Sequence, residues 1–314
     1  MPLVAGVDIG GTKVLAALVN EDGRIMNSVQ RSTDPEAGTA SLISGLGDLL
    51  SSVSDDPVTI GVGVAGWVEH PSGRVVFAPN LHYEVPDIAR AVSEKFDVPV
   101  TVENDANCAA WAEHRFGAGR GVAEMLMLAV GTGVGGGIVI GGSLYRGNTG
   151  LAAEFGHMTI VDGGPVCACG QRGCLEALSS GPAIARMARE GVGGAGDSIL
   201  LELTGGNPSK ITGALVNEAA RAMDEFSIGI LERAGRSLGV GLAALINAFD
   251  PGLVVIGGGG AEAGDYLLEP ARIEIRGRLS GRDRVPEVVT GTLGAEAGVI
   301  GAADLARIAA GLSG

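Results

Sequence analysis

The sequence predicts an α/β protein built from two similar halves, and three observations carry that prediction. Short runs rich in β-branched residues alternate with stretches of helical periodicity along the 314 residues. A strand, a Gly/Thr turn and a returning strand open the chain at 3–20, and the same pattern recurs at 125–140. The apolar runs at 58–64 and 253–256 are continuous, as in strands of a parallel sheet buried on both faces.

The elements follow in order. Strands are expected at 3–9, 13–20 and 24–31, with Gly10-Gly11-Thr12 turning between the first two and Asp22-Gly23 between the second and third. A helix at 38–53 leads to the buried strand at 58–64. A helix at 86–96 leads to a strand at 98–103, and a helix then starts at Asp105 and runs to residue 116. The second half begins with strands at 125–130 and 136–140 around Gly131-Thr132-Gly133. A Gly- and Cys-rich loop covers 150–176, and 177–249 is mostly helical. The strand at 253–256 runs into Gly257-Gly258-Gly259-Gly260. A helix, a strand at 287–289 and a last helix over 296–312 complete the pattern, which places the domain boundary near 105–120.

Composition narrows the function. The net charge is −14 with no basic stripe, which disfavours nucleic acid and anionic membrane as partners. Phosphate ligands stay open, because backbone N–H groups and metal ions can hold them. Glycine is about 17% of the chain against a usual share of about 7%, so many tight turns and close backbone approaches are expected. The start, Met-Pro-Leu-Val-Ala-Gly, has neither the basic region nor the cleavage site of a signal peptide. The uncharged stretch 125–144 has the length of a membrane span, but its glycines suit strand–turn–strand better. A cytoplasmic chain is expected. In that compartment three cysteines within eight residues point to metal before disulfide.

Five motifs carry chemistry. In Asp8-Ile-Gly-Gly-Thr-Lys13, Gly10 and Gly11 let backbone approach an anion, Thr12 offers a hydroxyl, and Asp8 is placed to hold a metal ion or its water. An ordinary hairpin would look the same. Gly131-Thr132-Gly133-Val-Gly-Gly-Gly137 repeats that logic in the second half, and the pairing of two such turns favours a polyphosphate ligand. A Rossmann dinucleotide site is disfavoured, since strands and not helices follow the glycines. His157, Cys167, Cys169 and Cys174 follow a His-x9-Cys-x-Cys-x4-Cys spacing that suits tetrahedral zinc. With four protein ligands no position is left for water, so the role is structural. Cys108 is read as a core thiol. Asn104 and Asp105 stand where a strand end meets a helix start: Asp105 is placed to accept a proton from an attacking hydroxyl, and is equally suited to cap the helix. Glu154, His157 and Glu176 flank the cysteine loop and supply acceptors and a donor for a ring of sugar hydroxyls; solvated loop charges are the alternative.

Together these motifs resemble the ROK family (repressors, open reading frames, kinases) of the actin-like, hexokinase-like ATPase clan, over essentially the whole chain. The cysteine signature Cys167-x-Cys169-Gly-x-x-Gly-Cys174-x-Glu176 is its most specific part. The resemblance implies two actin-like (ribonuclease H-like) domains with a cleft between them. The smaller would cover 1–115 and the larger 116–297, with the helix at 298–314 packing back on the first. It implies ATP-dependent phosphorylation of a hexose, glucose at O6 first among them, with Asp105 as catalytic base. Gly66, Asn80, Asn104, Glu154, His157 and Glu176 would bind the sugar. Asp8, Gly10, Gly11, Thr12, Lys13, Gly131, Thr132 and Gly133 would serve the phosphates and their Mg²⁺, and Gly257 and Gly258 the adenosine. It further implies structural Zn²⁺ and a homodimer or homotetramer. The family's repressors carry a helix-turn-helix ahead of the Asp-x-Gly-Gly-Thr turn; that turn starts at residue 8 here, so a DNA-binding repressor is not the expected member. Kinases for N-acetylmannosamine, fructose or mannose, a non-catalytic sugar sensor, and polyphosphate as donor stay open as alternatives.

Overall fold

The computed structural model describes residues 3–11, 13–33, 38–54, 56–78, 87–194, 196 and 198–312. The opening apolar run forms β1 (Val4–Ile9), β2 (Lys13–Val19) and β3 (Ile25–Ser32), an antiparallel meander. Helix α1 (Gly38–Val53) leads to β4 (Ile60–Val64), which lies parallel to β1. A small hairpin follows, β5 (Trp67–Glu69) and β6 (Arg74–Phe77), in a stretch where the sequence pattern predicted no strand. Helix α2 (Ile88–Phe96) returns the chain to β7 (Val100–Asn104), parallel to β4, and α3 (Asp105–Phe116) leaves its end. The resulting sheet has the order β3-β2-β1-β4-β7.

The second half begins with β8 (Met125–Val130), β9 (Val134–Ile140) and the short β10 (Ser143–Leu144). Helices α4 (Glu176–Ser179), α5 (Gly181–Gly191), α6 (Leu200–Leu203), α7 (Gly213–Arg221) and α8 (Glu225–Phe249) come next. Then β11 (Leu253–Gly257), α9 (Asp265–Arg278), β12 (Glu287–Thr290) and α10 (Ala297–Ala309) finish the chain. The second sheet has the order β10-β9-β8-β11-β12. In both sheets the sequence of strands is third, second, first, fourth, fifth. The repeat read in the two Gly/Thr hairpins is therefore a repeat of topology, with a buried fourth strand pairing parallel to the fifth at the sheet edge.

Two compact units are present. One comprises Met1–Met125, Gly137–Ala153 and Thr292–Gly314; the other Leu126–Gly136 and Glu154–Gly291. In the first, Val7, Ile9, Val62 and Val64 pack with Leu46, Leu49 and Leu50 of α1 and Ile88 and Val92 of α2. On the other face lies α10, whose Val299, Ile300, Ala303 and Ala306 join Val4, Ala17 and Val19. Close approach explains some of the glycine. A Cβ at Gly61 would overlap the carbonyl of Ala302, and one at Gly301 that of Cys108. Gly137 lies against Ala110, and Leu144 packs with Trp111 and Leu305, which draws 137–153 to this unit. The second unit is built around α8, whose Leu231, Leu238, Leu242 and Ile246 are fully buried. Gly235 and Gly239 let α9 cross α8 closely, against Leu267 and Ala271. Among the described residues no helix is long and apolar enough to cross a membrane; the uncharged stretch at 125–144 forms strands.

Candidate functional site

In the first unit, β7 ends where α3 begins, and the helix cap is Asn104. Its Oδ1 accepts from the Asn107 N–H at 2.9 Å. The capping alternative for Asp105 is thereby resolved: Asp105 is the first helical residue, and its Oδ1 accepts from the Ala106 N–H at 2.9 Å and from Asn104 Nδ2 at 3.1 Å. Asn104 Nδ2 also donates to the Gly66 carbonyl at 3.0 Å, and a side chain at Gly66 would overlap the Phe77 carbonyl. The structure therefore brings Gly66, Asn104 and Asp105 together. One oxygen of Asp105 is fixed by two donors, which orients the carboxylate as a general base requires.

Asp8 lies near the end of β1, one strand from β4, and the first turn of α10 rests against it: a Cβ at Gly298 would press on its carboxylate. Burial raises the Asp8 carboxyl to about 6, with Lys13 pulling the other way. Gly10 N–H donates to the Lys13 carbonyl at 2.9 Å, and the Gly10 carbonyl accepts from Thr33 Oγ1 at 2.8 Å, so the turn is tied at both ends. Gly11 completes the described part of this turn. Thr12 and Asn80 lie outside the described residues.

In the second unit, Gly131 and Thr132 line a cavity of about 440 Å³ with Gly259 and Gly260, the apolar Val130, Pro182, Ile184 and Ala185, and the polar Arg189, Thr212 and Asn217. Gly257 ends β11, and Gly258, at φ +74°, turns the chain against the Val130 carbonyl. They stand immediately before the two glycines on the cavity wall. Arg189 Nε and Nη2 donate to the Ile211 carbonyl at 3.0 and 2.6 Å. Asn217 Oδ1 is buried with no partner among the described residues. An apolar cavity with glycines and the Asn217 side chain in its wall suits a flat heterocycle bearing phosphates. Sequence reasoning missed its walls. The available signals were Ser180-Gly-Pro and Thr212-Gly, caps that start α5 and α7 at the cavity.

Beside that hairpin lies Glu176. Its Oε2 accepts from the Val134 N–H at 3.0 Å and leaves no room for a side chain at Gly133. Its Oε1 lies 3.5 Å from Cys167 Sγ. The cysteine loop is a knuckle of two isolated bridges, Thr159 with Cys174 and Val166 with Arg172, closed by Cys167 N–H to Gln171 O at 2.8 Å. Gly173, at φ +74°, lies so tightly on Val161 that no Cβ fits.

This loop brings His157, Cys167, Cys169 and Cys174 together, their ligand atoms all within 4.8 Å of one another. Cys169 Sγ to Cys174 Sγ is 3.8 Å, and Cys167 Sγ to His157 Nδ1 is 3.7 Å. A tetrahedron with Zn–S bonds of about 2.3 Å has edges of about 3.8 Å, so the donor set fits zinc. Burial pushes the Cys167 thiol up to about 12 and raises that of Cys174, while a Gln171 N–H lowers that of Cys169. Holding buried thiolates here calls for a compensating cation. His157 Nδ1 faces the cysteines, and Nε2 lies 3.8 Å from Glu154 Oε2. The structure thus groups Glu154, His157 and Glu176 around the loop.

Residues 4–309 match the ROK family. The chain is 40% identical to a glucokinase of Streptomyces coelicolor, the likeness covering 98% of each protein. It is 37% identical to a glucokinase of Thermotoga maritima, over 96% of each. Among solved structures, a ROK family glucokinase from Streptomyces griseus in complex with glucose and AMPPNP superposes with a TM-score of 0.89. That match has 40% identity and covers 98% of this chain and 99% of the other. The fold is α/β with two actin-like domains, and the chain belongs to the ROK family.

Proposed function

We propose that this chain is an ATP-dependent glucokinase that transfers the γ-phosphoryl group of ATP to O6 of glucose, with Asp105 as general base. The observation that carries this reading is the likeness along the whole chain to glucokinases, one of them solved with glucose and AMPPNP. Asp105 takes the proton of the O6 hydroxyl as that oxygen bonds to the γ-phosphorus and the bond to ADP breaks; the proton then leaves to solvent. Such transfers need positioning and charge stabilisation more than covalent help. The orientation of Asp105 by Ala106 N–H and Asn104 Nδ2 fits that need.

Gly66, Asn80, Asn104, Glu154, His157 and Glu176 bind the sugar hydroxyls. Gly10, Gly11, Thr12, Lys13, Gly131, Thr132 and Gly133 hold the phosphates, and the nucleoside enters the cavity beyond Gly257 and Gly258. Mg²⁺ accompanies ATP and neutralises phosphate charge, with Asp8 placed to hold it or its water. His157, Cys167, Cys169 and Cys174 hold Zn²⁺, which shapes the loop and leaves no ligand position open. The domain division near residue 115, a return of helix 298–314 to the first domain, a homodimer or homotetramer and a cytoplasmic location belong to the same proposal. Light scattering tests the assembly.

The experiment is ADP release with Mg-ATP and a panel of glucose, mannose, fructose, N-acetylglucosamine and N-acetylmannosamine. Strong dependence on glucose is expected. Release with a different sugar alone overturns the substrate, and no release with any overturns ATP as the phosphoryl donor; no sugar phosphate from polyphosphate either overturns the kinase.

A further inference from the structure

Next to the base stands a buried carboxylate that the proposed reaction does not use. Glu103 is the penultimate residue of β7, and its side chain is 6% exposed. Its Oε1 accepts from the Asn104 N–H at 3.0 Å and from Asn107 Nδ2 at 3.0 Å. Its Oε2 accepts from Arg146 Nε in a short ion pair. Both oxygens are therefore engaged, one by the start of α3 and one by a cation brought from residues 145–152.

That cation is itself anchored. The Arg146 carbonyl accepts from the Ala152 N–H, the Thr149 carbonyl accepts from the His70 N–H, and Gly150 packs on the Val68 carbonyl of β5. The next residue back along β5 is Trp67, and before it Gly66, whose carbonyl accepts from Asn104 Nδ2. The contacts close into a ring: Gly66, Asn104, Glu103, Arg146, the 146–152 loop and β5. Asn104 is the member of the ring that also donates to Asp105.

A buried carboxylate is stable only when paired and hydrogen-bonded. Without Arg146 the Glu103 charge would have to find water or a proton, and either outcome moves the side chain that holds Asn104 and Asn107. A base displaced by about 1 Å costs on the order of 10²-fold in rate. We infer that Glu103 and Arg146 form a positioning device for Asp105, in which the arginine holds the glutamate and the glutamate holds the start of α3. The inference rests on Asp105 being the base, so Asp105→Asn is measured alongside.

The test compares Arg146→Met, Glu103→Gln/Arg146→Met, Arg146→Lys and wild type. In Arg146→Met, kcat falls about 10- to 100-fold while KM for ATP changes less than about twofold. The double variant removes the charge but keeps an acceptor oxygen for Asn104 N–H and Asn107 Nδ2, and so regains most of the lost kcat. Wild-type kcat in Arg146→Met, or a double variant no faster than the single, overturns the inference. Should Arg146→Met not fold, the same split is read in Arg146→Lys, whose ammonium lacks the fixed fork of the guanidinium; unchanged kcat there overturns it. Hydrogen exchange at the Ala106 and Asn107 amides gives a readout independent of turnover. Exchange is faster in the arginine variants, and unchanged exchange overturns the positioning role. Activity in Asp105→Asn would instead overturn the base assignment, and the exchange experiment would still judge the clamp.

Discussion

Replacing Asp8 by Asn is expected to stabilise the fold while disabling the enzyme. Burial raises the Asp8 carboxyl from its ordinary 3.8 to about 6, so the folded state holds the proton more tightly than the unfolded chain does. The sign follows from linkage. The stabilising contribution of protonated Asp8 is complete below pH 3.8 and is lost as pH rises through 6; above that the ionised carboxylate is a constant burden. A displacement of about two pH units corresponds to about 3 kcal/mol. The carboxylate keeps some exposure, so a net gain of roughly 1–2 kcal/mol is expected for the neutral amide at pH 7.5. In a domain of this size that is roughly 3–6 °C in Tm. The assay is thermal unfolding of wild type and Asp8→Asn with EDTA and without nucleotide, from pH 4 to 8, beside ADP release at pH 7.5. The two Tm curves should meet near pH 4 and separate through pH 6, with turnover in the variant down at least about 10²-fold. A Tm difference that does not grow with pH refutes the burial argument, and full turnover refutes the placement of Asp8 at the phosphates.

Three further outcomes are expected. Asp105→Asn should leave Tm within about 2 °C of wild type, because its Oδ1 acceptor can be kept, while kcat falls at least about 10³-fold; normal turnover removes Asp105 from the role of base. Cys174→Ser should lose zinc, measured as metal per chain after dialysis, and should lower Tm, since the loop then loses the ion that ties Cys167, Cys169 and His157 together; retained metal with wild-type Tm contradicts the site. Asn217→Leu should weaken nucleotide binding about 10-fold by titration calorimetry while glucose binding stays within about twofold; unchanged nucleotide affinity takes the carboxamide out of the base pocket.

Much of the site was legible because turn chemistry and metal ligation are local. The hairpins at Gly10 and Gly131 and the Cys167–Cys174 knuckle each sit within a dozen residues, where spacing alone determines which atoms can meet. The short strands were harder. The β5–β6 hairpin and the two-residue β10 are too brief for a period to show, and they take their shape from neighbours. Asp105 lay at the edge of legibility. Its place at the strand–helix junction could be read, but which residue caps the helix could not: the cap is Asn104, whose Oδ1 accepts from the Asn107 N–H.

By itself the sequence determined the α/β class, the doubled Gly/Thr hairpin, the grouping of His157 with three cysteines and the net negative charge, because these depend on residue type and short-range spacing. The tertiary structure alone decided what distant segments do to one another. It set α10 so close to β1 and β4 that Gly6 and Gly61 can bear no side chain. It built the walls of the cavity beside Gly131 and Thr132 from α5 and α7, whose residues read only as helix. It also delivered Arg146 to Glu103, 43 residues away in the chain. The physical reason is the same each time: burial energy, pKa and ion pairing depend on which surfaces meet, and contacts between remote segments leave no period in the sequence.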